Sequence, residues 1–321
     1  MFDIIQKINL GSFPQKIHIR GEKETNPVLL ILHGGPGIPN RSSFFKHHSD
    51  LCEFFTVAAW DQRGTGGSYR GIDKNTLTVE RLVIDARELV EYLCERFCQQ
   101  KIFLLCGSWG TQLGTILAYR YPEHIAAYAG LGQTVNGCEN ERISYEFALK
   151  KASEADDSKS VALLQKYGPP VNGQYKEGLK GLLAQRRVMK KYGGNSTKKG
   201  GWFKTLGIPI LFSKEYTLGD KIGIIKGYKL VLSTMWPLLT DYDFIAECAD
   251  FQMPYFIFQG RLDNNTPSAL VSDFYDRITA PQKDLVWFEK SAHSPLGEEP
   301  ELFKRILKQK FLDSGISAKL I

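Results

Sequence analysis

The chain has 321 residues, 43% hydrophobic and 24% charged, enough for one large domain with an insertion or two ordinary domains. Its 41 basic and 35 acidic side chains leave a net charge of +6 that is spread along the whole length, which argues against the concentrated basic face of a nucleic-acid reader. Six cysteines without a C-x-x-C pair exclude a disulfide scaffold and point to free thiols in a reducing compartment.

Cys94 and Cys98 stand four apart on an expected helix with no histidine beside them, so they read as packing residues and no metal is implied. The basic run from Arg186 to Lys204 reads as a solvated helix end followed by a glycine-rich loop. No apolar run approaches the ~18 residues of a membrane span. The opening "MFDIIQKINLG" lacks a basic region before an apolar stretch. A cytoplasmic protein with no membrane partner is expected, and composition is silent on its oligomeric state.

In chain order, "FDIIQKINL" and "QKIHIRGE" alternate polar and apolar residues and predict an antiparallel pair at one edge of a sheet. "PVLLILHGG", "FFTVAAWDQRG", "KIFLLCGS", "IAAYAGLGQ", "PYFIFQGRLD" and "KDLVWFEKSA" follow as core strands, most of them the near-continuous apolar runs of strands covered on both faces. Val79 to Phe97 carries one apolar stripe behind a capping Thr78 and predicts a crossover helix. The expected fold is α/β, a mostly parallel eight-stranded sheet with helices on both faces. Between about Thr134 and Cys248 the rhythm changes to successive helices, read as an inserted lid over residues 134–248 of a catalytic domain made of 1–133 and 249–321.

In "IFLLCGSWGTQLG" a buried strand breaks at Ser108 and a helix starts at once. A serine hydroxyl needs a base to take its proton and donors to hold the oxyanion that follows attack. A tight strand-to-helix turn presents the side chain and gives the next residue's amide at a helix N-terminus. Such a turn needs small residues two before and two after; here they are Cys106 and Gly110, a departure from G-x-S-x-G at the first place. Asp263 and His293 end later strands on the same rim, in the order Ser, Asp, His of the α/β-hydrolase arrangement. The loop "HGGPG" places Gly35 where its amide can meet the oxyanion, with Trp109 as the other donor. His33 is read as a brace for that loop, and Asp61 with Arg63 as an ion pair holding a neighbouring one.

With "HGGPG", "DQRGTGGS", "GSWGTQLG", "GRLDNNTP" and "SAHSP" in this order, the chain resembles the proline iminopeptidase group of α/β-hydrolases, over roughly Phe2 to Leu131 and Phe251 to Leu312. The resemblance implies a serine aminopeptidase with Ser108, Asp263 and His293 as triad, Gly35 and Trp109 as oxyanion donors, no cofactor, and a short peptide or other small molecule as substrate. It also implies acidic residues that anchor a substrate ammonium. Asn264 follows Asp263 here, so Glu139, Glu141, Glu146, Glu215, Asp220, Asp241 and Asp243 remain as candidates, with Glu146 and Trp236 chosen as substrate-binding residues. Trp202, Phe203, Ile208, Ile210, Leu211, Phe212, Met235 and Trp236 would suit an acyl pocket, which keeps carboxylester hydrolysis open beside aminopeptidase activity. A binding protein that has lost turnover is the third possibility.

Overall fold

Val28–Leu32 (β3) and Thr56–Asp61 (β4) are buried at every position, as strands covered on both faces must be. The computed structural model describes residues 1–198, 207–313 and 315–316. The other strands are Phe2–Leu10 (β1), Phe13–Gly21 (β2), Ile102–Gly107 (β5), Ile125–Leu131 (β6), Tyr255–Gly260 (β7) and Lys283–Phe288 (β8). They form one 8-stranded sheet in the order β1-β2-β4-β3-β5-β6-β7-β8. β1 pairs antiparallel with β2 and β2 with β4, and the remaining pairings are parallel. The strands and the antiparallel edge expected from the apolar patterns are all present.

Successive side chains of the central strands enter opposite layers, the period of two that a pleated strand imposes. Leu30, Leu32, Leu104 and Ile257 pack with Leu82 and Leu89 of α2 (Val79–Arg96) and Leu113 of α3 (Trp109–Arg120). Leu29, Ile31, Phe103 and Phe256 pack on the other face with Phe44 of α1 (Arg41–His48) and with Phe303, Leu307 and Phe311 of α12 (Pro300–Phe311). Helix α2 begins where expected, Thr78 accepting from the Arg81 amide at 3.1 Å, a cap worth about 1 kcal/mol. Two further helices, α10 (Ser268–Arg277) and α11 (Pro295–Glu298), flank the last strands.

Between β6 and β7 the chain passes through α4 (Gly137–Glu154), α5 (Ser158–Tyr167), α6 (Leu179–Lys191), α7 (Ile208–Phe212), α8 (Leu218–Met235) and α9 (Phe244–Glu247). Helices α4 to α6 share a small apolar core around Tyr145, Ala148, Leu164 and Leu182. Helix α8 instead seats on the loop after β4. A Cβ at Gly223 would lie 2.2 Å from the Gly66 carbonyl oxygen and one at Gly227 2.3 Å from that of Gly64, so helix and loop meet backbone to backbone.

Asp61 and Arg63 do not pair with each other as the sequence suggested. Arg41 of α1 reaches Asp61 at 3.1 Å, while Arg63 reaches Asp85 of α2 at 2.5 Å, and all four side chains are buried. Helices α1 and α2 cover opposite faces of the sheet, so the chain turning after β4 sends the two charges apart.

Candidate active site

Ser108 follows β5 directly and adopts φ 52°, ψ −122°, a left-handed conformation that a side chain enters only at a cost of about 1–3 kcal/mol. Its neighbours hold it there. The Ser108 amide donates to the Leu131 carbonyl at 2.8 Å, and the Thr111 amide donates to the Ser108 carbonyl at 2.7 Å. A Cβ at Gly110 would stand 2.1 Å from the Leu32 carbonyl oxygen, so only glycine lets α3 start this close to the end of β3. Cys106, the departure from the usual small residue, fits because Gly114 faces it: a Cβ there would lie 2.4 Å from its Sγ. Burial pushes the Cys106 thiol well above its ordinary pKa, so it remains a neutral packing group.

Asp263, in the turn after β7, is buried and accepts from the Asn265 and Thr266 amides at 2.8 and 3.0 Å. Its other oxygen accepts from the Thr266 hydroxyl at 2.7 Å, from Gln259 Nε2 at 3.1 Å and from His293 Nδ1 at 2.8 Å. The carboxylate offers no proton, so the His293 proton sits on Nδ1 and Nε2 keeps its lone pair. Gly132, at φ 59°, backs the ring: a Cβ there would come within 2.8 Å of His293 Cε1 and Nδ1. Nε2 lies 3.0 Å from Asn265 Nδ2. Ser108 and His293 line the same cavity, and among the described residues the Ser108 hydroxyl has no hydrogen-bond partner.

That cavity, about 610 Å³, has Gly34, Gly35, Ser108, Trp109 and His293 on its sheet side and Glu141, Arg186, Tyr228, Leu232 and Trp236 on the side of the inserted helices. A smaller cavity of about 250 Å³, lined by Ile31, Phe44, Leu105, Leu131 and Leu296 among others, also reaches Ser108 and His293. The serine therefore stands where two cavities meet.

His33 braces its loop, as read from its position. Its Nδ1 lies 2.9 Å from the Gly34 carbonyl oxygen, and its Nε2 accepts from the Gln62 amide at 3.3 Å. Complete burial pushes its pKa down to about 4, so it is neutral at pH 7.

Glu146 is not at the cavity. It is 58% exposed and paired with Arg142 at 2.7 Å, whereas Glu141 is 2% exposed and lines the cavity wall. Five residues along a helix are about 140° of rotation, so the two glutamates face different ways. Glu141 is itself engaged, by Arg186 at 2.5 Å and by the Tyr175 hydroxyl at 3.1 Å. The other acidic candidates also lie outside the cavity lining. Glu139 pairs with Arg142, Glu215 with Arg20 and Asp220 with Lys16, while Asp243 caps α9.

Trp236 does line the cavity, and its buried indole N–H has no hydrogen-bond partner among the described residues. Ile208, Ile210, Leu211 and Phe212 do not, because α7 lies against α1; Leu211 and Phe212 are exposed. Met235 is buried behind the wall, and Trp202 and Phe203 lie outside the described residues. The apolar wall is made by Leu182, Met189, Leu232 and Leu239 instead.

The family described as alpha/beta hydrolase fold matches residues 27–300, most of the chain. The protein belongs to the alpha/beta hydrolase family. This alpha/beta hydrolase is 27% identical over 309 residues, 95% of each chain, to a probable aminopeptidase, YbaC, of Bacillus subtilis (strain 168). It is 23% identical over 286 residues to a proline iminopeptidase of Heyndrickxia coagulans, covering 89% of this chain and 90% of that one. Among solved structures, the proline iminopeptidase of Mycobacterium smegmatis superposes with a TM-score of 0.69 at 18% identity, over 98% of this chain and 99% of that one, a likeness of fold. The family match makes the protein a hydrolase, and these relatives are named aminopeptidase and proline iminopeptidase. Among the described residues no helix is long and apolar enough to cross a membrane, and no group of three or more His, Cys, Asp and Glu is arranged to hold a metal.

Asn265, Thr266 and Gln259 are site residues that strand-end reading missed. Thr266 and Asn265 stand within three positions of Asp263, so a turn that must saturate a buried carboxylate was the available signal.

Proposed function

We propose that the protein is a serine hydrolase working through an acyl-enzyme, with residues 134–248 as a lid over the catalytic domain. The carrying observation is the bond of 2.8 Å between the part-buried His293 and the buried Asp263, beside a cavity that Ser108 also lines. Ser108 Oγ attacks the substrate carbonyl as its proton passes to His293 Nε2, and Asp263 holds the imidazole and stabilises its cation. The amides of Gly35 and Trp109, both at the cavity wall, receive the oxyanion. Collapse of the tetrahedral intermediate breaks the bond to the leaving amine or alcohol, which takes the proton from His293 and leaves acyl-Ser108. Water then repeats the sequence and frees the acid. The two cavities give separate room to the acyl and leaving groups.

For substrate, short peptides or aminoacyl amides come first, supported by relatives that are named aminopeptidase and proline iminopeptidase. Ester hydrolysis is the second reading, favoured by one observation: Glu141, the buried carboxylate on the wall facing Ser108, is already bonded to Arg186. Trp236 would meet the substrate with its ring in either case, since its indole N–H is buried.

The test is stoichiometric labelling by a fluorophosphonate, lost in Ser108→Ala, followed by rates on prolyl and alanyl arylamides and short aryl esters. Labelling absent from the wild-type chain sinks the hydrolase mechanism and leaves a binding protein. Equal rates on amine-blocked and free substrates remove the aminopeptidase reading and leave the esterase.

A further inference from the structure

The lone pair of His293 Nε2 is the group that must take the serine proton, and it faces an amide. Asn265 Nδ2 stands 3.0 Å away. The carboxamide's oxygen in that place would meet a lone pair, so the N–H is the end that belongs there. Asn265 is not a loose surface group. Its backbone N–H donates to Asp263 at 2.8 Å, and its carbonyl accepts from Asn140 Nδ2 of α4 at 3.0 Å, so its loop is pinned to the acid on one side and to the inserted helices on the other. Ser144 of the same helix donates to the neighbouring Asn264 carbonyl at 2.5 Å.

An imidazole nitrogen accepts one good in-plane hydrogen bond, so the Asn265 amide and the Ser108 hydroxyl compete for it. We propose that Asn265 is a positioning residue that holds His293 Nε2 in a hydrogen bond and yields it to Ser108 for attack on the substrate. The inference rests on the serine-hydrolase reading. Exchange of one hydrogen bond for another makes or breaks no covalent bond. Once the imidazolium forms, Nε2 becomes a donor, and a half-turn of the carboxamide presents its oxygen to accept; the residue then serves both protonation states. Because Asn140 donates to the Asn265 carbonyl, the seating of the inserted helices reaches the base through this residue, beside the Asn195 carbonyl that accepts from the His293 amide at 3.4 Å.

Asn265→Leu removes donor and acceptor at similar volume, and Asn265→Ala, which keeps the backbone bonds to Asp263 and Asn140, guards against a packing defect. Two readouts are needed. In a Ser108→Ala background, where no hydroxyl can take over, the ¹⁵N signal of the unprotonated His293 ring nitrogen should move toward that of an unbonded nitrogen when Asn265 is replaced. With Ser108 present, labelling by a small fluorophosphonate at neutral pH should become about two- to tenfold faster, the span of one hydrogen bond released. A purely structural role would slow labelling and leave the nitrogen signal where it was. An unmoved signal, or labelling that is unchanged or slower in both variants, overturns the proposal. The nitrogen signal needs no turnover, so a moved signal in a protein whose wild-type chain is never labelled would uphold the contact while sinking the hydrolase reading.

Discussion

Thr266 donates its hydroxyl to the same Asp263 oxygen that accepts from His293, at 2.7 Å and 2.8 Å. The threonine therefore fixes the direction in which that oxygen looks at the imidazole. Thr266→Val keeps shape and volume and deletes the donor. A hydrogen bond to a buried carboxylate contributes about 1.5–3 kcal/mol, and part of that loss should appear as a kcat about tenfold lower with KM little changed. Steady-state kinetics on an arylamide or aryl ester checks this; a change confined to KM would show that Thr266 shapes the cavity instead.

Arg186 and Glu141 form an ion pair on the cavity wall, the carboxylate almost fully buried. Arg186→Met strands that carboxylate without its cation, and the expected cost is about 3 kcal/mol. The double variant Glu141→Met, Arg186→Met removes both charges and should recover most of the loss, because two desolvated charges only roughly offset their own burial. Urea unfolding of the two variants measures it, and a double variant as unstable as the single one would refute the account.

Ser108, Asp263 and His293 stand out in the sequence because each marks a local event, a strand stopping in a turn, which a linear reading detects. Glu141 could not be separated from Glu146 in the same way. The buried face of α4 begins with Asn140, Glu141 and Ser144 and turns apolar only at Tyr145, Ala148 and Ala152, so a search for apolar periodicity does not mark the position of Glu141 as inward. Asn265 and Thr266 act through a carboxylate and an imidazole brought together from two turns, a relation that spacing does not encode. Likewise, Gly223 and Gly227 look like weak points of a helix in the sequence, and their use appears only when the carbonyls of Gly66 and Gly64 stand against them.

Those two glycines carry a prediction. Gly227→Ala would bring a methyl group to 2.3 Å from the Gly64 oxygen, so α8 must lift off the loop. Overpacking of this kind costs about 1–3 kcal/mol. Tyr228 and Leu232 of the same helix line the cavity, so the shift should also raise KM more than it lowers kcat. Thermal unfolding and steady-state kinetics together check it. A variant with wild-type Tm and KM would mean that the helix has slack the backbone contact does not suggest.

Burial pushes three histidines, His18, His33 and His48, down to about 4 from an ordinary 6.5. For His48, Lys304 adds to the effect, while for His18 the bond to Asp3 opposes it. Between those two pH values the unfolded chain binds protons that the native chain refuses, so stability is fully present above pH 6.5 and drains away as pH falls toward 4. Each such group contributes up to about 3 kcal/mol of that loss. His48 isolates the effect. Among the described residues its Nδ1 has no hydrogen-bond partner, and its ring packs at 5.4 Å from that of Phe44, so His48→Phe substitutes a ring that cannot titrate and forfeits no such bond from that nitrogen. The variant should match or slightly exceed wild-type stability at pH 7 and lose less of it by pH 4.5. Melting temperatures across that range decide the matter: parallel curves for the two proteins would show that His48 takes up its proton in the folded chain as readily as in the unfolded one.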